Sequence, residues 1–142
     1  MTLLESSKRI FVNGSFDLIH LGHLDLLKYA ASLGDYLLVA IDTDERIRYN
    51  KGNDRPVNNL TTRKAIMESF RFVDEVKVFG TDQELIDTIK NFAPHVMVKG
   101  SDWRGKRVIG EEYCEKVDFY ERVNDESTTK TLEDFISRRQ LL

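Results

Sequence analysis

The stretch NGSFDLIHLGHLDLL, residues 13–27, decides how this chain is organised. It follows a short apolar run and sets His20 and His23 three positions apart, where a helical pattern of leucines begins. Residues at i and i+3 lie on the same side of a helical turn, and a helix start attracts anions through its unpaired backbone N–H groups. Gly14 permits a tight turn, and Gly22 leaves room for a phosphate to approach the backbone. The stretch therefore predicts a strand, a turn and a helix that together bind phosphate.

Beyond this stretch, short apolar runs alternate with longer amphipathic runs. We predict strands at 9–13, 36–41, 75–79, 95–99 and 117–120, and helices at 24–31 (with a C-cap at Gly34), 60–72, 82–92 and 128–139. Strands separated by helices indicate βαβ units with right-handed crossovers and a parallel sheet. The prediction is a single α/β domain over residues 1–142, a doubly wound parallel sheet with helices on both faces.

Polar residues directly follow three of the predicted strands, at 13–23, 42–44 and 100–103. In doubly wound sheets, ligands bind beyond the carboxyl ends of the strands. We therefore expect these three segments to meet at one edge of the sheet and to form the functional site.

Composition limits the classes of function. The chain has 142 residues, 41% of them apolar and 32% charged, with a net charge of −3. This acidic balance argues against a broad surface for nucleic acid or for an anionic membrane. Cys114 is the only cysteine, which excludes an internal disulfide and favours a reducing compartment. The first 12 residues lack a signal-peptide pattern, and no apolar run approaches the roughly 20 residues that span a bilayer. We expect a soluble cytoplasmic protein with no nucleic-acid or membrane partner.

The two histidines have simpler explanations that must be weighed. A histidine near a helix start is often a surface residue or a cap, and two histidines can be half of a zinc site. The third histidine, His95, lies in an apolar strand and is interpreted as structural, and Cys114 falls in a predicted helix or turn. Because a third zinc ligand is not evident, we assign no direct protein ligand to a metal.

The segment GSFDLIHLGH, residues 14–23, resembles the H-x-G-H signature of the cytidylyltransferase-like nucleotidyltransferases. Six further segments resemble that family in order and spacing: LGDYLLVAIDTD (33–44), KGNDRPV (51–57), TRKAI (62–66), VDEV (73–76), VKGSDW (98–103) and STT (127–129). One such motif alone would be weak, whereas the ordered set extends the resemblance over nearly the whole chain.

This resemblance implies a Rossmann-like fold and a reaction. An NTP, ATP or CTP, and a small phosphorylated acceptor give a nucleotide-linked product and pyrophosphate. The acceptor phosphate attacks the α-phosphorus in line, so no covalent enzyme intermediate is expected. Mg²⁺ is expected with the triphosphate, and a homodimer is the expected assembly.

The resemblance also implies roles for individual residues. Four are expected to be catalytic: His20, His23, Lys51 and Arg63. The expected nucleotide-binding residues are Asn13, Gly14, Ser15, Phe16, Gly22, Lys99, Gly100, Asp102, Trp103, Ser127, Thr128 and Thr129. Three residues are expected near the acceptor or the metal: Asp17, Asp42 and Arg55.

Several of these residues also have a purely structural explanation. Asp17 would turn the chain through backbone bonds, Lys51 would lie in a solvated loop, and Arg63 would be a surface arginine of a helix. Trp103 would simply pack against neighbouring side chains, and the triplet at 127–129 would cap the start of the C-terminal helix.

Two branches of the family compete for the substrate. The segments RPV (55–57), VKGSDW (98–103) and VIG (108–110) resemble the adenylyltransferases that make ADP-heptose. The segments FRFVDEV (70–76) and DWRGK (102–106) resemble glycerol-3-phosphate cytidylyltransferase. We favour the heptose-like branch and keep the cytidylyl transfer as the alternative.

Other classes fit less well. A non-catalytic nucleotide-binding module would have lost some of the charged groups that this chain retains. A receiver domain needs an acidic cluster at the end of the first strand, where this chain has the histidine pair. A fragment of a class I aminoacyl-tRNA synthetase would need a tRNA-binding surface, which the acidic net charge disfavours.

Overall fold

A computed structural model of the chain describes residues 3–121 and 128–140, without the side chains of residues 128, 129 and 140. The strands are β1 Arg9–Gly14, β2 Tyr36–Asp42, β3 Glu75–Phe79, β4 Val96–Gly100 and β5 Lys116–Tyr120. The α-helices are α1 Leu21–Ser32, α2 Asp44–Lys51, α3 Leu60–Ser69, α4 Asp82–Phe92 and α5 Thr128–Gln140. Two short 3₁₀ turns, Ser101–Trp103 and Glu111–Tyr113, lie between β4 and β5.

The five strands form one parallel sheet in the order β3-β2-β1-β4-β5. This confirms the predicted doubly wound α/β fold. The chain first builds the sheet outward from β1 through β2 to β3, and then returns to the other side of β1 with β4. The strand order therefore reverses beside the carboxyl end of β1, and this is where such sheets bind their ligands.

The core lies on both faces of the sheet, because successive side chains of a strand point to opposite sides. Ile10 and Val12 of β1 pack on one face in a cluster that includes Leu27 of α1 and Met67 of α3. Phe11, between them, packs on the other face against a cluster that α4 completes. Strands buried on both sides need nearly continuous apolar sequence, which explains the run in β2.

Helix α2 was not predicted, and this changes the setting of Lys51. The segment 44–51 buries only Ile47, so it carries almost no apolar periodicity. Other signals were present: the Thr43 side chain accepts a hydrogen bond from Arg46 N, and acidic residues occupy the first turn. The alternative of a solvated loop for Lys51 was wrong, since this residue ends a helix.

Several predicted boundaries differ from the structure by one to three residues, and three of the differences have a clear physical reason. Helix α3 ends at Ser69, because Phe70 adopts an extended backbone. His95 precedes β4, and its Nδ1 accepts a hydrogen bond from Arg9 N, which confirms a structural role. Gly34 is not the C-cap of α1, which is Leu33. A Cβ at Gly34 would lie 2.6 Å from the carbonyl oxygen of Lys8, so close packing explains this glycine.

In the ranges 3–121 and 128–140, no helix has the length and apolar character that crossing a membrane requires.

Candidate active site

The segment that joins β1 to α1 crosses the carboxyl end of the central strand in a strained conformation. Phe16 and Leu18 both have a φ of 50°, a value that residues other than glycine rarely adopt. The segment is held by Asp17, which is 1% exposed. Its carboxylate accepts hydrogen bonds from the backbone N–H groups of Val57 (2.7 Å) and Asn58 (2.8 Å). Such strain persists only where surrounding contacts enforce it, and it is common at functional sites.

The two histidines cap the helix that they begin. His20 is the N-cap of α1, and its Nδ1 accepts a hydrogen bond from Gly22 N at 3.1 Å. His23 Nδ1 accepts a hydrogen bond from His20 N at 3.3 Å, and the ring centroids are 3.9 Å apart. Because each Nδ1 accepts a hydrogen, the proton of each neutral imidazole lies on Nε2. The pair thus carries two Nε2–H donors, which suit the oxygens of an anion.

Two cavities adjoin at the carboxyl end of β1. We call the first, of about 140 Å³, the histidine lobe, because His20 and His23 line it together with Phe16 and Tyr120. The larger one, of about 380 Å³, we call the second lobe. It is lined by Asp42, Arg46, Asn50, Lys51, Phe79, Leu85 and Ile109. The wall common to both lobes consists of Asn13, Gly14, Ser15, Lys99 and Trp103. A ligand with two parts could therefore occupy both lobes across this wall.

Two lysines, the buried Lys99 and the exposed Lys51, bring positive charge to the wall. Lys99, 9% exposed, donates to Asn13 Oδ1 at 3.3 Å, and its Nζ lies 4.6 Å from the centroid of the Trp103 ring. Burial lowers the pKa of Lys99 to about 8, so this group is mostly charged at pH 7. Lys51 Nζ donates to Ser15 Oγ at 3.0 Å, and partial desolvation, with the nearby Arg55, lowers its pKa as well. Both lysines line the second lobe, where they can meet a phosphate.

Asp42, the last residue of β2, supplies the carboxylate of the second lobe. Arg46 Nε donates to its Oδ2 at 3.2 Å. Burial raises the pKa of Asp42, although Arg46 and Lys51 oppose this shift. Arg46 is itself held by Asp82 Oδ1 at 2.8 Å, and its guanidinium carbon lies 5.1 Å from the centroid of the Phe79 ring.

Arg63 is neither a surface residue nor part of the lining of either lobe. Its side chain is fully buried. It donates to the carbonyl oxygens of Ser15 (3.0 Å), Asp42 (2.8 Å) and Asn58 (2.9 Å), and to Asp44 Oδ1 at 2.7 Å. The family resemblance implied a catalytic arginine that faces the acceptor or the phosphates, whereas Arg63 lies behind the lining of both lobes. Arg63 is a positioning residue that joins the segments around the cleft, because its guanidinium is committed to internal acceptors.

The structure brings most of the predicted residues into the lining of the two lobes: Asn13, Gly14, Ser15, Phe16, His20, Gly22, His23, Asp42, Lys51, Lys99, Gly100 and Trp103. Four lie outside that lining: Asp17, Arg55, Arg63 and Asp102. Arg55 lies instead beside Asp17, with Nε 3.6 Å from Oδ2. Ser127 is outside the described residues, as are the side chains of Thr128 and Thr129.

Two lining residues of the second lobe, Arg46 and Asn50, were not predicted as site residues, and both lie on the unpredicted helix α2. The apolar wall of that lobe, formed by Phe79, Leu85 and Ile109, was not predicted either. The capping pattern at Thr43 could have identified the helix. Nothing in the local sequence indicated that the wall residues would meet.

Among the described residues, no group of three or more histidine, cysteine, aspartate or glutamate side chains could hold a metal ion. Both oxygens of Asp17 accept backbone hydrogen bonds, and one oxygen of Asp42 is paired with Arg46. Asp17 therefore has the chain-turning role that was its structural alternative.

The family model for cytidylyltransferase-like proteins matches residues 11–134. Three relatives, each named bifunctional protein HldE, come from Campylobacter fetus, Helicobacter hepaticus and Aliarcobacter butzleri. They are 37%, 39% and 40% identical to this chain over 87%, 92% and 88% of its length, respectively. The matched parts are 27%, 27% and 26% of the relatives, so the chain spans about a quarter of their length.

Two solved structures are similar in fold. The lipopolysaccharide core biosynthesis protein from Thermoplasma volcanium superimposes with a TM-score of 0.66 at 25% identity, over 85% of this chain and 100% of that one. The pantoate-beta-alanine ligase from Francisella tularensis, complexed with beta-gamma ATP and beta-alanine, has a TM-score of 0.61 at 16% identity. This superposition covers 89% of this chain and 63% of the ligase, and at 16% identity it supports a shared fold alone.

Proposed function

The chain belongs to the cytidylyltransferase-like family of nucleotidyltransferases, and on that premise we propose that it transfers the adenylyl group of ATP to a sugar phosphate of the heptose 1-phosphate type. The observation that carries the proposal is the capped histidine pair beside the buried Lys99 and the exposed Lys51 in a two-lobed cleft. The match to one part of the bifunctional HldE proteins supports the heptose-like branch. The likeness to a lipopolysaccharide core biosynthesis protein supports a sugar acceptor.

In the proposed reaction, an oxygen of the acceptor phosphate forms a bond to the α-phosphorus of ATP. The bond from that phosphorus to the oxygen bridging to the β-phosphate breaks, and pyrophosphate leaves. The Nε2–H groups of His20 and His23 donate to the triphosphate oxygens on which negative charge grows, and Lys51 and Lys99 balance that charge. Such catalysis is mostly positioning and charge stabilisation, so no protein nucleophile is required.

Mg²⁺ enters this proposal as part of the nucleotide substrate. The ion coordinates phosphate oxygens and water readily, and Asp42, the carboxylate that lines the second lobe, is engaged by Arg46 through one oxygen. A homodimer and a cytoplasmic location belong to the same proposal. They rest on the family resemblance and on the single cysteine, and light scattering of the purified chain tests the dimer.

A pyrophosphate-release panel tests the reaction. ATP, CTP, GTP and UTP are each combined with heptose 1-phosphate, glycerol 3-phosphate or choline phosphate. We expect ATP with heptose 1-phosphate to give the highest kcat/KM. Strict dependence on CTP with glycerol 3-phosphate would establish the second candidate, which the segments at 70–76 and 102–106 favour. Tight nucleotide binding without turnover would instead indicate a non-catalytic module.

The histidine pair is tested by His20→Ala and His23→Ala. We expect each to lower kcat about 10²- to 10³-fold, the loss seen when one transition-state donor is removed. His95→Gln is the matched control, because His95 bonds to Arg9 N before β4 begins, at the other end of the sheet. It should retain kcat and lose about 1 kcal/mol of stability. Folded alanine variants with unchanged kcat would contradict the proposal.

A further inference from the structure

The second lobe carries two different kinds of polar group. Two of its cations lie at the wall shared with the histidine lobe: Lys99 belongs to that wall, and Lys51 bonds to Ser15 in it. The third cation, Arg46, is paired with Asp42. Away from that wall the lining includes the carboxylate of Asp42. A phosphate suits the lysines, whereas a carboxylate repels a second anion. The acceptor's phosphate and the rest of the acceptor must therefore meet different chemistry in this lobe.

Asp42 is held rigidly, with one oxygen in use. Its side chain is 13% exposed, and Oδ2 accepts from Arg46 Nε at 3.2 Å. Arg46 is fixed in turn by Asp82 and by the ring of Phe79. Asp42 lines the second lobe, and no described residue donates a hydrogen bond to its other oxygen, Oδ1. An ionised carboxylate oxygen only accepts hydrogen bonds, so Oδ1 can accept one from a donor group of the ligand.

Hydroxyl groups are the donors that fit this setting. They are uncharged, so they do not compete with Arg46 for the carboxylate, and each can donate one hydrogen bond. The neighbouring wall of Phe79, Leu85 and Ile109 offers apolar surface to the C–H groups between hydroxyls. A molecule with a phosphate at one end and several hydroxyls beyond it satisfies the lysines, the carboxylate and the apolar wall together.

We propose that Asp42 is the specificity-determining residue for the acceptor, and that its Oδ1 accepts hydrogen bonds from the hydroxyls of a polyhydroxylated sugar phosphate. The inference rests on the proposed function and adds the basis of acceptor choice to it. Arg46 orients the carboxylate and favours its charged form against the effect of burial. The nucleotide, with its triphosphate at the histidines, does not depend on Asp42.

The test compares Asp42→Ala and Asp42→Asn with Asp82→Asn. Each of these variants weakens one ion pair of Arg46, but Asp82 is 67% exposed and does not line the second lobe, so it is the matched control. With ATP saturating, we expect Asp42→Ala to lower kcat/KM for heptose 1-phosphate about 10- to 100-fold, the effect of losing a hydrogen bond to a charged group. The kcat/KM of Asp42→Asn should lie between those of Asp42→Ala and the original chain. The kcat/KM of Asp82→Asn should stay within about twofold of that of the original chain.

Two further measurements separate specificity from damage to the fold. ATP affinity, measured by calorimetry, should be the same in all variants. Ethyl phosphate has no alcohol hydroxyl to donate, so Asp42→Ala should not weaken its binding, and its inhibition constant should stay the same or fall as the repelling carboxylate is removed. Equal losses for heptose 1-phosphate and ethyl phosphate, or a parallel loss of ATP affinity, would overturn the inference.

The failure of this inference is distinguishable from the failure of the proposed function. If the unaltered chain uses heptose 1-phosphate and Asp42→Ala uses it equally well, only the role of Asp42 is wrong. If the unaltered chain uses no sugar phosphate in the pyrophosphate-release panel, the proposed function is wrong, and the acceptor role of Asp42 is wrong with it.

Discussion

At the scale of single residues, burial separates the lysine of the cleft from lysines on the surface. Lys99 lies beneath Trp103 and donates to Asn13. Burial lowers its pKa to about 8, because the charged form is poorly solvated there. An ammonium group is charged below its pKa, so Lys99 is charged at pH 7 and loses its charge as the pH rises through about 8.

The loss of the Lys99 charge with rising pH leads to a prediction for the pH dependence of activity. The kcat/KM for ATP should decline above about pH 8, because an uncharged Lys99 no longer attracts phosphate. Lys99→Met should have a lower value at pH 7 and should lack this decline. Lys99→Arg should move the decline to higher pH, since a guanidinium stays charged. Pyrophosphate release measured from about pH 6 to pH 10 provides the profile.

The control for this profile is Lys77→Met, which removes a lysine that is 55% exposed on β3. It should reproduce the profile of the unaltered chain. A decline above pH 8 that persists in Lys99→Met would show that another group titrates.

The position of the histidine pair was predictable, and its capping role was not. The i, i+3 spacing and the preceding glycine turn already predicted that His20 and His23 share the first turn of a helix. Helices usually take serine, threonine, aspartate or asparagine as the N-cap. The reciprocal capping by two imidazoles emerges only from the backbone that the strained 15–20 segment imposes.

At the scale of elements, the cleft depends on how loops and helix ends are joined. Arg63, on α3, bonds to the carbonyl of Ser15 in the β1–α1 segment and to the carbonyl of Asp42 at the end of β2. It also bonds to Asp44 on α2 and to the loop before α3. One guanidinium therefore fixes four segments that border the site, which a point charge on a lysine could not do.

We predict that Arg63→Met lowers the free energy of unfolding by about 3 to 5 kcal/mol, since it leaves buried acceptors without a donor. Arg63→Lys should lower the free energy of unfolding by a smaller amount, because it keeps the positive charge. It should still be less stable than the original chain, because it lacks the planar guanidinium. The measurement is urea unfolding followed by circular dichroism. Arg71→Met, which alters an exposed arginine just after the same helix, should change stability by no more than about 0.5 kcal/mol. Equal stability of the two methionine variants would contradict the role of Arg63.

At the scale of the whole molecule, two halves of the sheet meet at the site. The loop after β1 brings the histidines, and the end of β4 brings Lys99 and Gly100. The sequence further predicts that Ser127, Thr128 and Thr129 bind the same triphosphate from the start of α5. That part of the hypothesis links residues about 100 positions apart in the chain.

Replacing all three residues of this triplet with alanine tests the link. We expect the KM for ATP to rise about tenfold or more, since hydroxyl donors to a charged phosphate are lost, while the KM for the acceptor changes little. Thr131→Ala, on the exposed part of α5, is the control and should leave both constants unchanged. An unaltered KM for ATP in the triple variant would contradict a shared triphosphate site.

The sequence by itself determined the α/β class, the parallel sheet and the edge of that sheet at which most of the candidate residues gather. The predicted strand 75–79 and helix 82–92 coincide with β3 and α4. Apolar periodicity, turn glycines and ordered motifs are local signals, and burial in a parallel sheet enforces them.

Only the tertiary structure decided what several polar side chains do. Arg63 looked like a phosphate ligand or a surface residue, yet its acceptors at Ser15 and Asp42 lie 48 and 21 positions away. Helix α2 was not predicted because it buries a single apolar residue, and therefore Arg46, which lies on it and orients Asp42, was not predicted as a site residue. The role of a polar group depends on which distant backbone and side-chain atoms come within hydrogen-bond distance, and the chain's packing sets those distances.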